Sequence, residues 1–302
     1  MPQHPGIFDR SLLRIRRQRA QRFPAGDFLL EHAARELSER LSSVMRQFQI
    51  AVDLGTPGDA VRRALAESEN VSTIVAATTD AGSAAAGSFL GVVADEEALP
   101  FADGSLDLVI SALSFQFVND LPGTLVQIRR ALKPDGLLLA ALLGGETLRE
   151  LRSSFAAAEV EIEGGVSPRV APFADIRDLG NLLQRAGFAL PVVDSEKLTV
   201  RYDSPFDLMQ DLRAMGATNV LHDRRRTPLR RRTLDRMASI YAERFSDSDG
   251  RVRATFELVW LSGWAPHEGQ QKPLRPGSAA QRLADALGTI EMPTGEKTPR
   301  SR

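Results

Sequence analysis

The stretch Val52-Asp53-Leu54-Gly55-Thr56-Pro57-Gly58-Asp59 decides the fold class of this chain. It closes a short β-type run that begins at Gln49, and a helical pattern near 58–68 follows it. Apolar runs without alternation are typical of strands buried on both faces of a parallel sheet. Such runs recur, with helical spacing between them, at 71–78, 89–94, 106–114 and 137–143. The sequence therefore predicts a doubly wound α/β fold with right-handed crossovers.

Changes in composition and periodicity predict five segments along the chain. Amphipathic helical spacing precedes the first strand, mainly helical patterns follow the sheet core, and Pro, Gly, Gln and Ser dominate beyond about 266. The segments are N-terminal helices at 1–46, the sheet core at 47–145, a mainly helical region with one late strand at 146–250, the final strand of the sheet at 251–265 and a flexible tail at 266–302.

The bulk composition argues against several classes of function. The 302 residues carry a net charge of −1, which gives no overall attraction to nucleic acid, and no DNA partner is predicted. The absence of cysteine excludes disulfides and thiolate metal sites, and the four histidines lack metal-ligand spacing, so no metal site is predicted. The longest apolar stretch, Leu137 to Leu143, is far shorter than the roughly 18 residues of a transmembrane helix. With no apolar signal-peptide core near its start, the chain is predicted to be cytoplasmic.

Acidic residues and glycines follow two of the predicted strands, at the sheet edge where such folds bind ligands. Gly55 allows the backbone to approach a ligand closely, and Asp53 can hold a cationic or hydroxylated group. Asp95, at the end of a later strand, can accept a hydrogen bond from an adenine amino group. The G-x-G-x-x-G pattern of pyrophosphate sites is absent. From these residues alone, an ordinary strand-to-helix turn and a solvated acidic loop remain alternatives.

The order of four short motifs points to a known family. They are Asp53-Leu54-Gly55, then Ala94-Asp95 with Leu99-Pro100-Phe101, then Leu106–Val109 and finally Lys133-Pro134-Asp135-Gly136. In this order and spacing they resemble the class I S-adenosylmethionine (SAM)-dependent methyltransferases. Other segments are similar to one branch, the methyltransferase-like assembly factors of mitochondrial respiratory complex I and their bacterial relatives. Within about residues 6–270, these segments are Phe8–Arg10, Ser111–Pro122, Gly144–Arg152, Glu163–Pro168, Asp178–Phe188 and Gly263–Glu268.

The resemblance implies a Rossmann-like class I methyltransferase fold, with a mostly parallel seven-stranded sheet, helices on both faces and a helical insert. It implies SAM as the cofactor, with the methionine end near Asp53, the ribose near Thr78 or Asp80, and the adenine near Asp95. The cofactor-binding residues that it implies are Asp53, Gly55, Thr78, Asp80, Asp95, Glu96 and Ser111. Substrate-side candidates after the fourth and fifth predicted strands are Phe115, Gln116 and Glu146, and catalytic residues are unassigned.

The cofactor motif departs from the family pattern at three positions. Pro57 and Asp59 stand where the family carries its second and third glycines. Proline lacks an N–H donor, and Asp59 adds a charge where close backbone approach is expected. Thr78 stands where an acid usually binds the ribose, and its neutral hydrogen bond is weaker than that of a carboxylate. These departures predict reduced affinity for SAM.

The branch also implies a protein substrate, an iron–sulfur subunit of respiratory complex I, modified by methyl transfer or by arginine hydroxylation. A place at the inner membrane would then come through that partner. Two alternatives stay open: a non-catalytic assembly factor with a degenerate pocket, and a carboxyl methyltransferase acting on a carrier protein or a small molecule.

Six arginines lie between Arg224 and Arg232. Such a run is most often a solvated helix face. A docking patch for an acidic protein surface is the second interpretation, and RNA is the third because few aromatic residues accompany the run.

Overall fold

A computed structural model describes residues 6–23, 26–85, 89–270, 285 and 288–290. Met1–Pro266 forms one compact unit, and His267–Arg302 forms a second. In the second unit, the described residues include a turn in which the Gly269 N–H donates to His267 Nδ1 at 3.1 Å. Most of the tail predicted at 266–302 lies outside the described residues.

One seven-stranded sheet runs through the first unit. Its strands are β1 Phe48–Leu54, β2 Val71–Thr78, β3 Leu90–Val93, β4 Leu106–Ala112, β5 Leu132–Leu143, β6 Ala189–Tyr202 and β7 Val252–Trp264. They lie in the order β3-β2-β1-β4-β5-β7-β6. Strands β1 to β5 pair in parallel, whereas β7 lies antiparallel between β5 and β6. The predicted fold class, a mostly parallel seven-stranded methyltransferase sheet, is confirmed.

Helices cover both faces of this sheet. Alternate residues of a strand point to opposite faces, so Leu108 and Ile110 pack in one core cluster while Val109 packs in the other. The first cluster takes residues from α2, α3, α6, α8 and α9, and the second takes residues from α5 and α7. The helices are α1 Arg10–Ala20, α2 Phe28–Ser42, α3 Ala60–Ala66, α4 Ala81–Ala85, α5 Leu121–Ala131, α6 Arg149–Glu163, α7 Ile176–Arg185, α8 Pro205–Ala214 and α9 Arg231–Phe245.

Helix α1 is fixed against a distant part of the chain. Asp9 caps it, since its side chain accepts a hydrogen bond from the Leu12 N–H at 3.0 Å. Phe8 forms an isolated antiparallel bridge with Leu221, and the Asp9 N–H donates to the Val220 carbonyl at 2.8 Å. These contacts hold α1 beside the carboxyl ends of the parallel strands.

Candidate functional site

A cavity of about 840 Å³ lies at the carboxyl ends of the parallel strands. Its floor is the turn after β1 and the end of β2, and α1 and α2 contribute to its wall. One part of its lining is apolar and includes Leu143, Leu151, Phe155 and Phe256. A volume of about 300–1,000 Å³ is typical of sites for small ligands.

The turn after β1 depends on glycine at position 55. Gly55 has a φ of +71°, in the left-handed region that side chains disfavour. A Cβ there would collide with Glu96 Oε1 and lie 2.6 Å from Ser114 Oγ. Glu96 cannot move away easily because Ser114 donates to the same oxygen at 2.6 Å and Arg10 pairs with the other.

We expect Gly55→Ala to lower the free energy of unfolding by about 2–4 kcal/mol, from left-handed backbone strain and displacement of a buried ion pair. Gly58→Ala is the matched control, because Gly58 has a φ of +77° but a Cβ there would meet only Leu30 Cδ2 at 3.4 Å. Gly58→Ala should lower the free energy of unfolding by only about 1 kcal/mol, which is the cost of the backbone strain alone. Urea unfolding of both variants measures the difference, and equal costs would show that Glu96 is free to yield.

Asp53 is buried beneath this turn and does not line the cavity. Its Oδ2 lies 2.5 Å from Arg62 Nη1. Burial raises the pKa of Asp53 to about 6, although Arg62 and Thr56 act in the opposite direction. Asp53 therefore positions Arg62 and the turn.

The raised pKa of Asp53 predicts a pH dependence of stability. Between its ordinary value of 3.8 and about 6, the native state binds more protons at this site than the unfolded state does. The contribution is therefore fully present below about pH 4 and is lost as pH rises through about 6, by about 1–3 kcal/mol. Urea unfolding of the wild type and Asp53→Asn at several pH values measures it. The two pH profiles should diverge in this window, and parallel profiles would contradict the assignment.

The end of β2 does face the cavity. Thr78 and Asp80 both line it, and the Thr78 hydroxyl oxygen accepts a hydrogen bond from the Asp80 N–H at 3.3 Å. Gln18 of α1 donates from Nε2 to Asp80 Oδ1 at 3.2 Å. Two groups that can bind hydroxyls are therefore beside the Gly55 turn, as a ribose site requires.

Arg10 pairs with the acidic residues after β3. We call Arg10 and its partners Asp95, Glu96 and Glu97 the Arg10 cluster. Arg10 Nη1 lies 2.9 Å from Asp95 Oδ1 and 3.2 Å from Glu97 Oε1, and Nη2 pairs with Glu96. None of the four lines the cavity. The role of Asp95 at adenine stays a prediction, and in this arrangement Arg10 holds its carboxylate.

Of the other predicted residues, Gln116 alone lines the cavity. Its Oε1 is buried without a hydrogen-bond partner among the described residues, so it can accept one from a ligand. Ser111 is buried in the sheet and donates to the Leu54 carbonyl at 2.7 Å, and Phe115 is buried in the core. Glu146 pairs with Arg149 at 2.8 Å.

Of the three departures from the family pattern, Pro57 and Asp59 differ in their placement. Pro57 lines the cavity, where it supplies no N–H donor. Asp59 does not line the cavity, and its exposed side chain pairs with Arg63 at 3.1 Å. The charge of Asp59 is therefore directed to α3 and its neighbours.

Sequence reasoning missed the arginines of α1. Arg10 and Arg17 contact residues at the ends of three strands: Arg10 pairs with Asp95 and Glu96 after β3, and Arg17 donates to the carbonyls of Gly55 and Leu113 after β1 and β4. The available signal was the basic, helically spaced segment 8–23. Nothing in that spacing identifies which carboxylates or carbonyls a remote arginine meets.

Only some arginines of the run at 224–232 are exposed without an ion pair among the described residues. Arg224 pairs with Asp9 at 3.2 Å, Arg225 pairs with Glu163 at 2.6 Å, and Arg230 lies 3.8 Å from Glu163. The exposed members, for which the described residues offer no ion pair, are Arg226, Arg231 and Arg232.

Known proteins similar to this chain include methyltransferases and hydroxylases. A family described as a methyltransferase domain matches residues 52–140. Over 98% of its length the chain is 39% identical to the human mitochondrial protein named arginine-hydroxylase NDUFAF5, and it covers 88% of that protein. The chain belongs to the arginine-hydroxylase NDUFAF5 family. Its predicted resemblance to that branch is confirmed.

Two further similarities concern the core. The malonyl-(acyl-carrier protein) O-methyltransferase of Laribacter hongkongensis is 41% identical over 62% of this chain and 60% of that protein. The methyltransferase-fold protein BH2331 of Bacillus halodurans superimposes with a TM-score of 0.53 at 18% identity, covering 78% of this chain and 99% of that one. The structural likeness shows the fold alone.

The part of the chain that the structure describes contains neither a membrane-spanning helix nor a cluster of metal-ligating side chains. None of the helices found there combines the length and apolar character needed to cross a membrane. The same residues contain no group of three or more His, Asp or Glu side chains placed to hold a metal ion.

Proposed function

We propose that the protein binds SAM in the cavity and modifies an arginine of a protein partner, an iron–sulfur subunit of respiratory complex I. The observation that carries this proposal is the similarity to arginine-hydroxylase NDUFAF5 over nearly the whole chain. Hydroxylation is favoured over methyl transfer because the relatives that match along this length are named hydroxylases.

The residues around the cavity fit a SAM-type ligand. Thr78 and Asp80 offer a hydroxyl and a carboxylate to ribose hydroxyls. The Gly55 turn brings backbone to the cavity without a side chain in between. Asp59, whose charge would disturb this approach, is directed elsewhere. Pro57 removes one donor, which supports binding weaker than in sites with three glycines.

In this proposal the chain contributes mainly positioning. SAM would supply an electrophilic methyl group and a sulfonium charge, which suit methyl transfer. Hydroxylation would instead insert one atom of molecular oxygen into a C–H bond of the arginine and release the other as water, with two electrons from a reductant outside this chain. Gln116, whose Oε1 has no hydrogen-bond partner among the described residues, accepts a hydrogen bond from an N–H of the substrate guanidinium and orients that group. The apolar side of the cavity packs against the aliphatic part of the substrate side chain and excludes water.

The reaction is tested by mass spectrometry of the iron–sulfur subunits of complex I from a strain that lacks this protein. We expect one arginine-containing peptide to be lighter by one oxygen atom, and complementation with the wild-type gene to restore its mass. A loss of one methylene mass would assign methyl transfer instead. Identical peptide masses, together with no calorimetric binding of S-adenosylhomocysteine, would favour the non-catalytic assembly factor.

A carrier-protein carboxyl methyltransferase is the second candidate function. It is favoured by the 41% identity to malonyl-(acyl-carrier protein) O-methyltransferase and by two exposed arginines at the cavity, Arg14 and Arg213. Exposed cations at a cavity suit an acidic partner with an anionic substrate group. Complementation of a biotin auxotroph that lacks this methyltransferase decides it, because growth without biotin requires the activity.

A further inference from the structure

The charged residues that line the cavity are mostly arginines. Among the described residues, the lining contains six arginines and two aspartates, and neither lysine nor glutamate. Two of the arginines are neutralised, because Arg62 pairs with the buried Asp53 and Arg169 pairs with the buried Glu159. The lining therefore keeps an excess of positive charge, although the whole chain carries a net charge of −1.

Three of the other arginines form a group that we call the arginine rim (Arg14, Arg16 and Arg213). Arg14 and Arg213 line the cavity and are exposed, so they lie where it opens to solvent. Arg16 is half-buried and donates a hydrogen bond to the Asn219 carbonyl. None of the three has an ion pair among the described residues. Because α1 and α8 are in contact, their arginines share one opening.

The surface beside the arginine rim is also positive. Arg19 of α1 is exposed and has no ion pair among the described residues. Burial lowers the pKa of Arg16, and the charges of Arg224 and Arg19 lower it further, against an opposing effect of Asp9. Asp9 is itself paired with Arg224 at 3.2 Å. Guanidinium groups therefore repel one another at this opening, and carboxylates from a partner would relieve that repulsion.

This excess of positive charge opposes the entry of a lone arginine side chain. The guanidinium of a substrate has the same sign as the arginine rim, and charges of like sign that meet at an interface disfavour binding. Carboxylates on either side of the substrate arginine would pair with the rim, so that the guanidinium could pass between them towards Gln116. A cationic substrate therefore needs acidic neighbours at this opening.

The arginine rim suits a peptide segment better than a membrane surface or a nucleic acid. Its members surround a concave opening, which an extended chain can enter and a flat array of lipid headgroups cannot. Single-stranded nucleic acid is usually bound on a series of aromatic side chains. Phe23 is the only exposed aromatic residue among the described residues that line the cavity.

We infer that the arginine rim docks an acidic segment of the protein partner, in which carboxylates flank the arginine that enters the cavity. The inference rests on the proposed function, since it takes a protein arginine as the substrate. Arginine forms paired hydrogen bonds with a carboxylate, which fixes the segment in position as well as binding it. A neutral or basic segment leaves the rim charges without partners, so the rim also selects the substrate.

Two labelled peptides with one central arginine test this docking, one with flanking glutamates and one with flanking glutamines. Fluorescence anisotropy with the full chain should show that the wild type binds the glutamate peptide at least about tenfold more tightly, and that added salt weakens this binding. The double variant Arg14→Glu/Arg213→Glu should bind the two peptides within about twofold of each other. Arg14→Gln/Arg213→Gln, which removes the charges without reversing them, should keep a smaller preference.

The control is Arg177→Glu/Arg185→Glu, which makes the same change of charge at two exposed arginines of α7. Neither lines the cavity or has an ion pair among the described residues. The control should keep the preference of the wild type, and urea unfolding checks that each variant is folded. Equal affinity of the wild type for both peptides, or an equal loss of preference in the control, would overturn the inference. Tighter rim-dependent binding of phosphatidylglycerol vesicles or of a uridine oligonucleotide would also overturn it.

Complementation separates this inference from the proposed function. In the strain that lacks this protein, Arg14→Glu/Arg213→Glu should restore the mass of the arginine-containing peptide less completely than the wild type does. Full restoration by this variant would overturn the inference and leave the proposed function standing. Identical peptide masses with and without the wild-type protein would overturn both.

Discussion

Arg10→Ala should lower the free energy of unfolding by about 3–5 kcal/mol, the usual cost of removing one partner from a buried ion pair. The variant leaves Glu96, which is 3% exposed, without its cation, and leaves the adjacent carboxylates of Asp95 and Glu97 facing it. Urea unfolding at neutral pH measures the loss. A second change tests the cause: Glu96→Gln in the Arg10→Ala protein removes the stranded charge, and should restore part of the stability.

Arg14→Ala is the matched control for this prediction. Arg14 lies one turn further along α1, is exposed, and has no ion pair among the described residues. Its replacement should change stability by less than about 0.5 kcal/mol. A loss below about 1 kcal/mol for Arg10→Ala, or no recovery in the double variant, would mean that the Arg10 cluster is solvated rather than buried.

Like Arg10→Ala, Glu159→Ala should lower the free energy of unfolding by about 3–5 kcal/mol. Glu159 is 1% exposed and accepts hydrogen bonds from the Ser167 N–H at 2.7 Å and from Arg169 Nε at 2.8 Å. Desolvation raises the pKa of Glu159, but these bonds outweigh it and hold the pKa below its ordinary value. This carboxylate therefore connects the segment 164–175, which contains no helix or strand, to α6.

Glu159→Ala should also change amide hydrogen exchange locally. Segment 164–175 contributes Arg169, Val170 and Phe173 to the cavity, so amide hydrogen exchange there should accelerate before the sheet is affected. Glu161→Ala is the control, because Glu161 lies on the same helix and pairs with the half-exposed Arg236 at 2.6 Å. It should cost less than about 1 kcal/mol. Unchanged exchange in segment 164–175 of Glu159→Ala would contradict the role assigned to Glu159.

The fold could be predicted in detail because parallel strands have a strong local signal. Runs such as 106–114 and 137–143 are apolar throughout since both faces of the sheet are covered, and they contain β4 and most of β5. The sequence also predicts one late strand within 146–250 and a final strand at 251–265, and β6 and β7 lie in these segments. Their antiparallel pairing depends on contacts between distant residues and follows from no local pattern.

The site was harder to predict for a physical reason. Strand-end rules place Gly55, Thr78, Asp80 and Gln116 at one edge, and the structure brings all four to the cavity. The same rules do not predict whether an acidic side chain at this edge is available to a ligand or is already paired with a cation of the protein. Asp95 is held by Arg10, which is 86 residues from its other partner Glu96, and such long-range pairing has no signature in spacing.

The bridge between Phe8 and Leu221 sets an order of events during synthesis. Residues 7–9 take their hydrogen-bond partners from 220–222, so these backbone contacts cannot form until that later segment has left the ribosome. Chains fold as they emerge, and closing so long a loop is slow. The docking of α1 at the ligand edge of the sheet is therefore completed late, after residue 222 has been synthesised.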